Sequence, residues 1–258
     1  MLRVIWNIIK KGALVVLALV TLFIVYEVFT FPRVADLQTK NPETTSMIET
    51  RLKEAREQGR APKRVQQWVP LARISPNLQR AVLAGEDSNF VGHNGFDYEA
   101  IQRAWEEGSK LSEKEAKEEG DNDPSDWIPD LSRFKRGGST VSQQLAKNLY
   151  LSSERTAARK VKEAAITYFM ERSLPKCRIL EIYLNVIEWG DGVYGAEAAA
   201  QVYFRKPAAG LTPQEAAFLS AMIPSPLNVF NPQKNLRRVQ RRQRVILRGM
   251  NSVRLPAC

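Results

Sequence analysis

Gly137-Gly138-Ser139-Thr140-Val141-Ser142-Gln143-Gln144-Leu145-Ala146-Lys147-Asn148-Leu149-Tyr150-Leu151 is a paired-glycine loop running into a segment that carries hydroxyls, amides and an amine. Thr140 and Gln143 fit a Thr-x-x-Gln capping box, in which each residue satisfies the other's free backbone N–H. A helix is therefore expected to begin at Val141. Unpaired N–H groups and the helix dipole make such a start favourable for an anionic ligand. On position alone the stretch reads equally well as an ordinary capped helix, so its neighbours have to decide.

The chain has 258 residues, enough for one good-sized domain or a domain with an anchor. Lys and Arg number 38 against 28 acids, a net charge of +10 that favours an anionic partner. Nucleic acid, an anionic membrane surface and a phosphorylated substrate all satisfy that condition. His93 is the single histidine and Cys177 and Cys258 the two cysteines, which is too few for a four-ligand Cys/His zinc site. Two cysteines also make no disulfide framework, and Cys177 has no nucleophile motif around it, so a packed or surface thiol is expected there.

From Gly12 to Phe31 the chain is predominantly apolar, with Glu27 its one charge. A helix of about 20 residues spans a bilayer core of roughly 30 Å. Bulky Val28-Phe29-Thr30-Phe31-Pro32 at the end of the run offers no small-residue cleavage site, which favours an uncleaved anchor over a signal peptide. Arg3, Lys10 and Lys11 precede it and keep that end cytoplasmic. The expected order is a cytoplasmic N-terminus over 1–11, an anchor over 12–32 and a connector over 33–74. A domain over 75–232 and a basic helix and tail over 233–258 follow. In a bacterium everything after the anchor faces the periplasm.

Beyond the anchor the pattern is that of a mainly α-helical protein. A polar helix is expected over 46–57. Ser75-Pro76 reads as an N-cap with proline at the first helical position, opening a helix that delivers Glu86-Asp87 at its end. Residues 106–126, with nine acids against three lysines, read as a solvated, mobile loop. Further helices are expected from Ser153-Glu154 to about Ser173, from Arg178 to about Ile187, from Ala196 to about Phe204, and from the Thr212-Pro213-Gln214-Glu215 capping box to Met222. A last one carries Arg237, Arg238, Arg241, Arg242, Arg244 and Arg248.

Two groups can do chemistry. Glu86 and Asp87 precede Phe90, His93, Gly95 and Asp97, and a carboxylate among apolar residues has its pKa raised by desolvation, as a general base requires. An exposed acidic pair at a helix end is the plainer alternative, though the helix dipole disfavours it. Arg155, Arg159 and Glu163 are spaced four apart and line one helix face, with Lys147 and Lys160 as further cations. A salt-bridged solvated face would look the same. So would a row of fixed donors for a pyrophosphate leaving group.

Five stretches in order tie these groups together. Glu86-Asp87-Ser88-Asn89-Phe90-Val91-Gly92-His93-Asn94-Gly95-Phe96-Asp97 resembles the first motif of the peptidoglycan glycosyltransferases, glycosyltransferase family 51. The Gly137–Asn148 stretch resembles their second. Arg159-Lys160-Val161-Lys162-Glu163-Ala164 resembles the third, Arg178–Asn185 with Gly190–Phe204 the fourth, and Glu215–Ala217 through Pro224-Ser225-Pro226 the fifth. The resemblance covers about residues 75–232.

The resemblance implies a lysozyme-like helical fold and polymerisation of lipid II into β-1,4-linked glycan strands, with inversion and release of undecaprenyl pyrophosphate. It implies Glu86 as the catalytic base and Glu163 as a second essential carboxylate. Asp87, His93, Ser139, Thr140, Gln143, Gln144, Lys147, Asn148, Arg155, Arg159 and Lys160 are then expected to bind substrate or shape the cleft. No cofactor is required, with room for a divalent ion such as Mg2+ near Glu163. Implied partners are lipid II, the growing strand, the inner membrane and cell-wall synthesis or division proteins, but not nucleic acid. Little chain remains for a transpeptidase domain, so a single-activity member is expected. Asn89 departs from the Arg or Lys the family often carries there, and the acidic 106–126 segment is longer than usual. A lytic enzyme on the same fold would want one catalytic Glu but no cationic helix face. A membrane-anchored binding protein would be indifferent to both glutamates.

Overall fold

The computed structural model describes residues 2–102, 106, 139–151 and 156–258. The expectations about Arg155, Gly137, Gly138 and most of the acidic segment lie outside the described residues. The chain divides into Met1–Arg33 and Val34–Cys258.

The first unit is one helix, α1, Leu2–Phe29. Leu14, Leu17, Leu19 and Leu22 stand exposed on it. Among the described residues no helix is long and apolar enough to cross a membrane.

The second unit is helical around a small sheet. In chain order it holds α2 (Ser46–Glu57), β1 (Val65–Gln66), α3 (Pro76–Glu86), α4 (Val141–Tyr150), α5 (Ala157–Ser173) and α6 (Lys176–Val186). Then come β2 (Glu188–Gly190), β3 (Val193–Tyr194), α7 (Ala196–Phe204), α8 (Pro213–Met222) and α9 (Pro232–Gly249). Each strand is two or three residues long, too short for an alternation to show in the sequence, and the domain is mainly helical as expected. β3 lies central, parallel to β1 with Val65 opposite Val193 and antiparallel to β2. Asn185 ties the end of α6 to the chain beyond β1, accepting from the Val69 N–H and donating to its carbonyl, each at 2.9 Å. Gly195 enters α7 at φ 82°, where a Cβ would meet the Asn185 carbonyl oxygen at 2.6 Å. Only glycine fits that crossing.

The core forms where the apolar stripes meet. α3 buries Leu78, Ala81, Val82 and Leu83, α4 buries Val141, Leu145 and Ala146, and α6 buries Ile179, Leu180 and Leu184. Burying one such leucine stabilises the fold by about 1.5–3 kcal/mol. α3 packs against α8 closely enough that Ser220 Oγ donates to the Ala81 carbonyl at 2.8 Å. Gly85, one turn on, leaves no room for a side chain: a Cβ would lie 2.8 Å from Ser220 Oγ and 3.2 Å from Ile246 Cδ1. The last turn of α3 is thereby pressed onto α8 and α9, which fixes where Glu86 emerges.

Cys177 at the start of α6 is bonded to Cys258, 81 residues on. The sequence points to a packed or surface thiol at Cys177 and leaves its pairing open; the structure supplies the partner. Two cysteines far apart in sequence carry no local sign of pairing, and only the fold brings their Cα atoms to 5.7 Å.

Candidate active site

α3 begins as its sequence suggests, with the Ser75 hydroxyl accepting from the Asn77 N–H and Pro76 in the first turn. Glu86 is its last residue, and its carboxyl side chain is 9% exposed. Gln144 Nε2 donates to Glu86 Oε2 at 2.9 Å, and Arg242 Nη2 donates to Oε1 at 2.8 Å. Burial pushes the Glu86 pKa up, and Arg242, Gln144 and Lys147 pull against it without cancelling it. A buried carboxylate with both oxygens held by fixed donors has one orientation and an elevated proton affinity.

Asp87 turns the other way. Its carboxylate faces His93 Nε2 at 2.9 Å and accepts from the Val141 N–H at 2.9 Å. His93 Nδ1 accepts from the Gly95 N–H at 3.1 Å, so the ring carries its proton on Nε2 and gives it to Asp87. The Thr140 hydroxyl reaches the Gly95 carbonyl at 2.7 Å. These bonds fasten the loop after α3 to the N-terminus of α4. Asp87, His93 and Thr140 are buried, and their polar atoms are engaged in that junction.

The capping box exists as expected: Thr140 Oγ1 accepts from the Gln143 N–H, and Gln143 Oε1 from the Thr140 N–H. Gln143 is buried in this role, whereas Ser139 stands exposed at the helix mouth. Gln144 and Lys147, three apart, share the face of α4 toward Glu86. Asn148, half-buried, has no hydrogen bond to either glutamate among the described contacts.

α5 starts at Ala157 with Thr156 as its N-cap. Glu163 is buried, its side chain 4% exposed, and pairs with Arg159 Nη1 at 3.0 Å and with Lys160. Lys147 is within electrostatic reach of both carboxylates. Burial lowers its pKa, Glu163 and Glu86 raise it, and Arg159 and Lys160 press it down further. The outcome is a cluster of three cations about one carboxylate, offset from a second carboxylate that is desolvated. Arg159 Nε is buried with no partner among the described residues, an unfilled donor beside this cluster.

A divalent ion does not fit beside Glu163, because both of its oxygens face cations. Asp87, His93 and Asp97 place ligand-type atoms within 4.8 Å of one another, but both nitrogens of His93 are engaged. Of the two roles left open for Glu163, aligning the cations or holding an ion, its pairing with Arg159 and Lys160 favours the first.

Two residues at this site were absent from the sequence-based set. Arg242 was read only as part of a basic helix, and Tyr183 only as part of a motif. Tyr183 is fully buried and its hydroxyl donates to Gln144 Oε1 at 2.7 Å. They lie 156 residues after Glu86 and 39 after Gln144, respectively, and no local pattern connects such positions.

The helical domain thus holds one desolvated glutamate and one ringed by cations. The chain is a member of the transglycosylase family, whose model matches residues 52–120 and 127–251. It is 42% identical over 241 residues to a biosynthetic peptidoglycan transglycosylase of Laribacter hongkongensis, covering 93% of this chain and 96% of that one. Proteins of the same description in Thiobacillus denitrificans and Neisseria gonorrhoeae are 41% and 40% identical. The first covers 99% of this chain and 100% of its own length, the second 92% and 93%.

Proposed function

We propose that this chain polymerises lipid II into β-1,4-linked glycan strands, releasing undecaprenyl pyrophosphate. Family membership and relatives named as biosynthetic peptidoglycan transglycosylases support the reaction class. One arrangement carries the assignment of roles: Glu86, desolvated and oriented by Gln144 and Arg242, set apart from Lys147, Arg159 and Lys160 about Glu163.

Glu86 takes the proton from the acceptor sugar's 4-hydroxyl. The oxygen forms a bond to the anomeric carbon of the donor as the bond from that carbon to the pyrophosphate oxygen breaks. Attack from the opposite face converts the α linkage to β. The departing pyrophosphate carries its own negative charge, so no second carboxylic acid has to protonate it, unlike the two-carboxylate hydrolases. Lys147, Arg159 and Lys160 meet that charge. One such fixed donor contributes about 3–4 kcal/mol, roughly a hundred- to a thousandfold in rate. Glu163 aligns Arg159 and Lys160. Asp87, His93, Thr140 and Gln143 hold the loop that carries the base against α4, and so act through position.

The domain works from the outer face of the inner membrane, held by the N-terminal segment. The apolar run Gly12–Phe31 and the basic residues before it support this. So does the Cys177–Cys258 bond, because disulfides persist in oxidising compartments such as the periplasm. Both substrates are then lipid-borne in the same bilayer.

The test is incubation of detergent-purified protein with labelled lipid II, followed by muramidase digestion. A muramidase-sensitive ladder, absent for a folded Glu86→Gln, is expected. Ladder from Glu86→Gln, or glycan fragments from sacculi in place of polymer, would overturn the reading.

A further inference from the structure

Glu86 does not hold itself. Its Oε2 is met by the Gln144 amide nitrogen, and a glutamine amide can turn end for end. Turned, it would present a carbonyl oxygen to the carboxylate. The Tyr183 hydroxyl opposes this by donating to Gln144 Oε1 at 2.7 Å, a bond that a turned amide gives up. Tyr183 is 0% exposed, which shields the donor side of that bond from water. It sits on α6, a rigid element whose buried face includes Ile179, Ile182 and Leu184.

We infer that Tyr183 is a positioning residue for the transfer reaction: its hydroxyl fixes which end of the Gln144 amide faces Glu86, and thereby keeps the base ionised and aimed. This rests on the reading of Glu86 as the base. An amide locked with its N–H toward the carboxylate stabilises the anion and offers the protonated acid no acceptor. Once the hydroxyl is gone, the amide can turn whenever Glu86 is protonated and accept the acid's proton. That favours the protonated form. The other charged groups facing this spot are Arg242 from α9, Lys147 from α4 and Asp87 at the end of α3. Burial, with Glu86 and Asp87 nearby, lifts the phenol well above its usual pKa, so it stays a donor at any working pH.

Tyr183→Phe removes one oxygen. The expected result is a fall in kcat for lipid II that approaches tenfold on the acid limb, with little change in KM. The acid limb of the rate profile should move up by about one pH unit, the equivalent of one hydrogen bond. In a Gln144→Leu background Tyr183→Phe should change neither, because the intermediary is gone. That double variant also leaves no unpaired polar atom between the two positions, so it reports even if Tyr183→Phe alone melts early. An acid limb for Tyr183→Phe superimposed on the wild type would overturn the inference. So would an equal loss from Tyr183→Phe with and without Gln144. Polymer from Glu86→Gln would instead remove the reading beneath it.

Discussion

Arg242 Nη2 lies 2.8 Å from Glu86 Oε1 and also donates to the Gly85 carbonyl at 2.7 Å. A basic helix near the end of the sequence thus completes the surroundings of a carboxylate whose proton affinity burial raises. The sign follows from the causes: Arg242 lowers a proton affinity that desolvation raises. Arg242→Gln should move the acid limb of polymerisation to higher pH, further than Tyr183→Phe does. A pH–rate series on lipid II decides it; an unmoved limb would show that the pair does not act on the base.

Lys147 is predicted to set the other limb. Its ammonium is held below the ordinary range by burial, so its charge is lost as pH rises through that lowered value. If the charge meets the leaving group, the rate falls with it. Lys147→Met should cost about a hundred- to a thousandfold in kcat. Lys147→Arg should keep partial activity and carry the alkaline limb out of range, since a guanidinium does not deprotonate there. An alkaline limb indifferent to Lys147→Arg would assign that limb to another group.

Glu86 should weaken the fold that holds it. Its folded pKa is raised above the ordinary 4.5, so its ionisation favours unfolding. The stability it allows is fully present below pH 4.5 and declines as pH rises through the folded value. Relative to Glu86→Gln, the wild type should therefore lose melting temperature across that window, after allowance for Arg242 losing its partner. Thermal melts of both proteins from acid to neutral pH measure the difference, and parallel curves would contradict the raised value.

Asp87 and His93 should show their weight in stability. Asp87→Asn keeps one acceptor but turns an N–H toward either His93 or Val141, each of which donates to it. The expected cost is about 1–3 kcal/mol in denaturant melts. His93→Ala should couple to it, so that the double variant loses less than the sum. Full additivity would mean the two side chains act separately.

Reduction of Cys177–Cys258 should lower the melting temperature. A closed loop of this length corresponds to about 4–5 kcal/mol on the chain-entropy account. Cys258→Ser should reproduce the reduced protein's melt under oxidising conditions, and an unchanged melt would show the unfolded chain to be compact already.

How much of this was legible depends on range. The Thr140–Gln143 capping box, the Ser75 cap and the α8 capping box each lie within one helical turn, and the residues that announce them also make them. Glu86 and Glu163 stood out through their motifs, and the structure places both in buried, cation-flanked settings. Neither Arg242 nor Tyr183 could be found that way, because each meets its partner only after the chain has folded back on itself. The pairing of Cys177 with Cys258 and the register of the two-residue strands were hidden for the same reason.

Tyr183 and Arg242 both fall between Cys177 and Cys258, while Glu86, Gln144, Lys147 and Glu163 all precede the first cysteine. Topologically, the reacting groups ride on open thread and two of the groups that hold Glu86 ride on a closed ring. A protease nick inside the ring leaves both pieces covalently joined, running as one unreduced species with Tyr183 and Arg242 still attached to each other's chain. A nick between Gln144 and Cys177 instead parts Glu86 and Gln144 covalently from Tyr183 and Arg242.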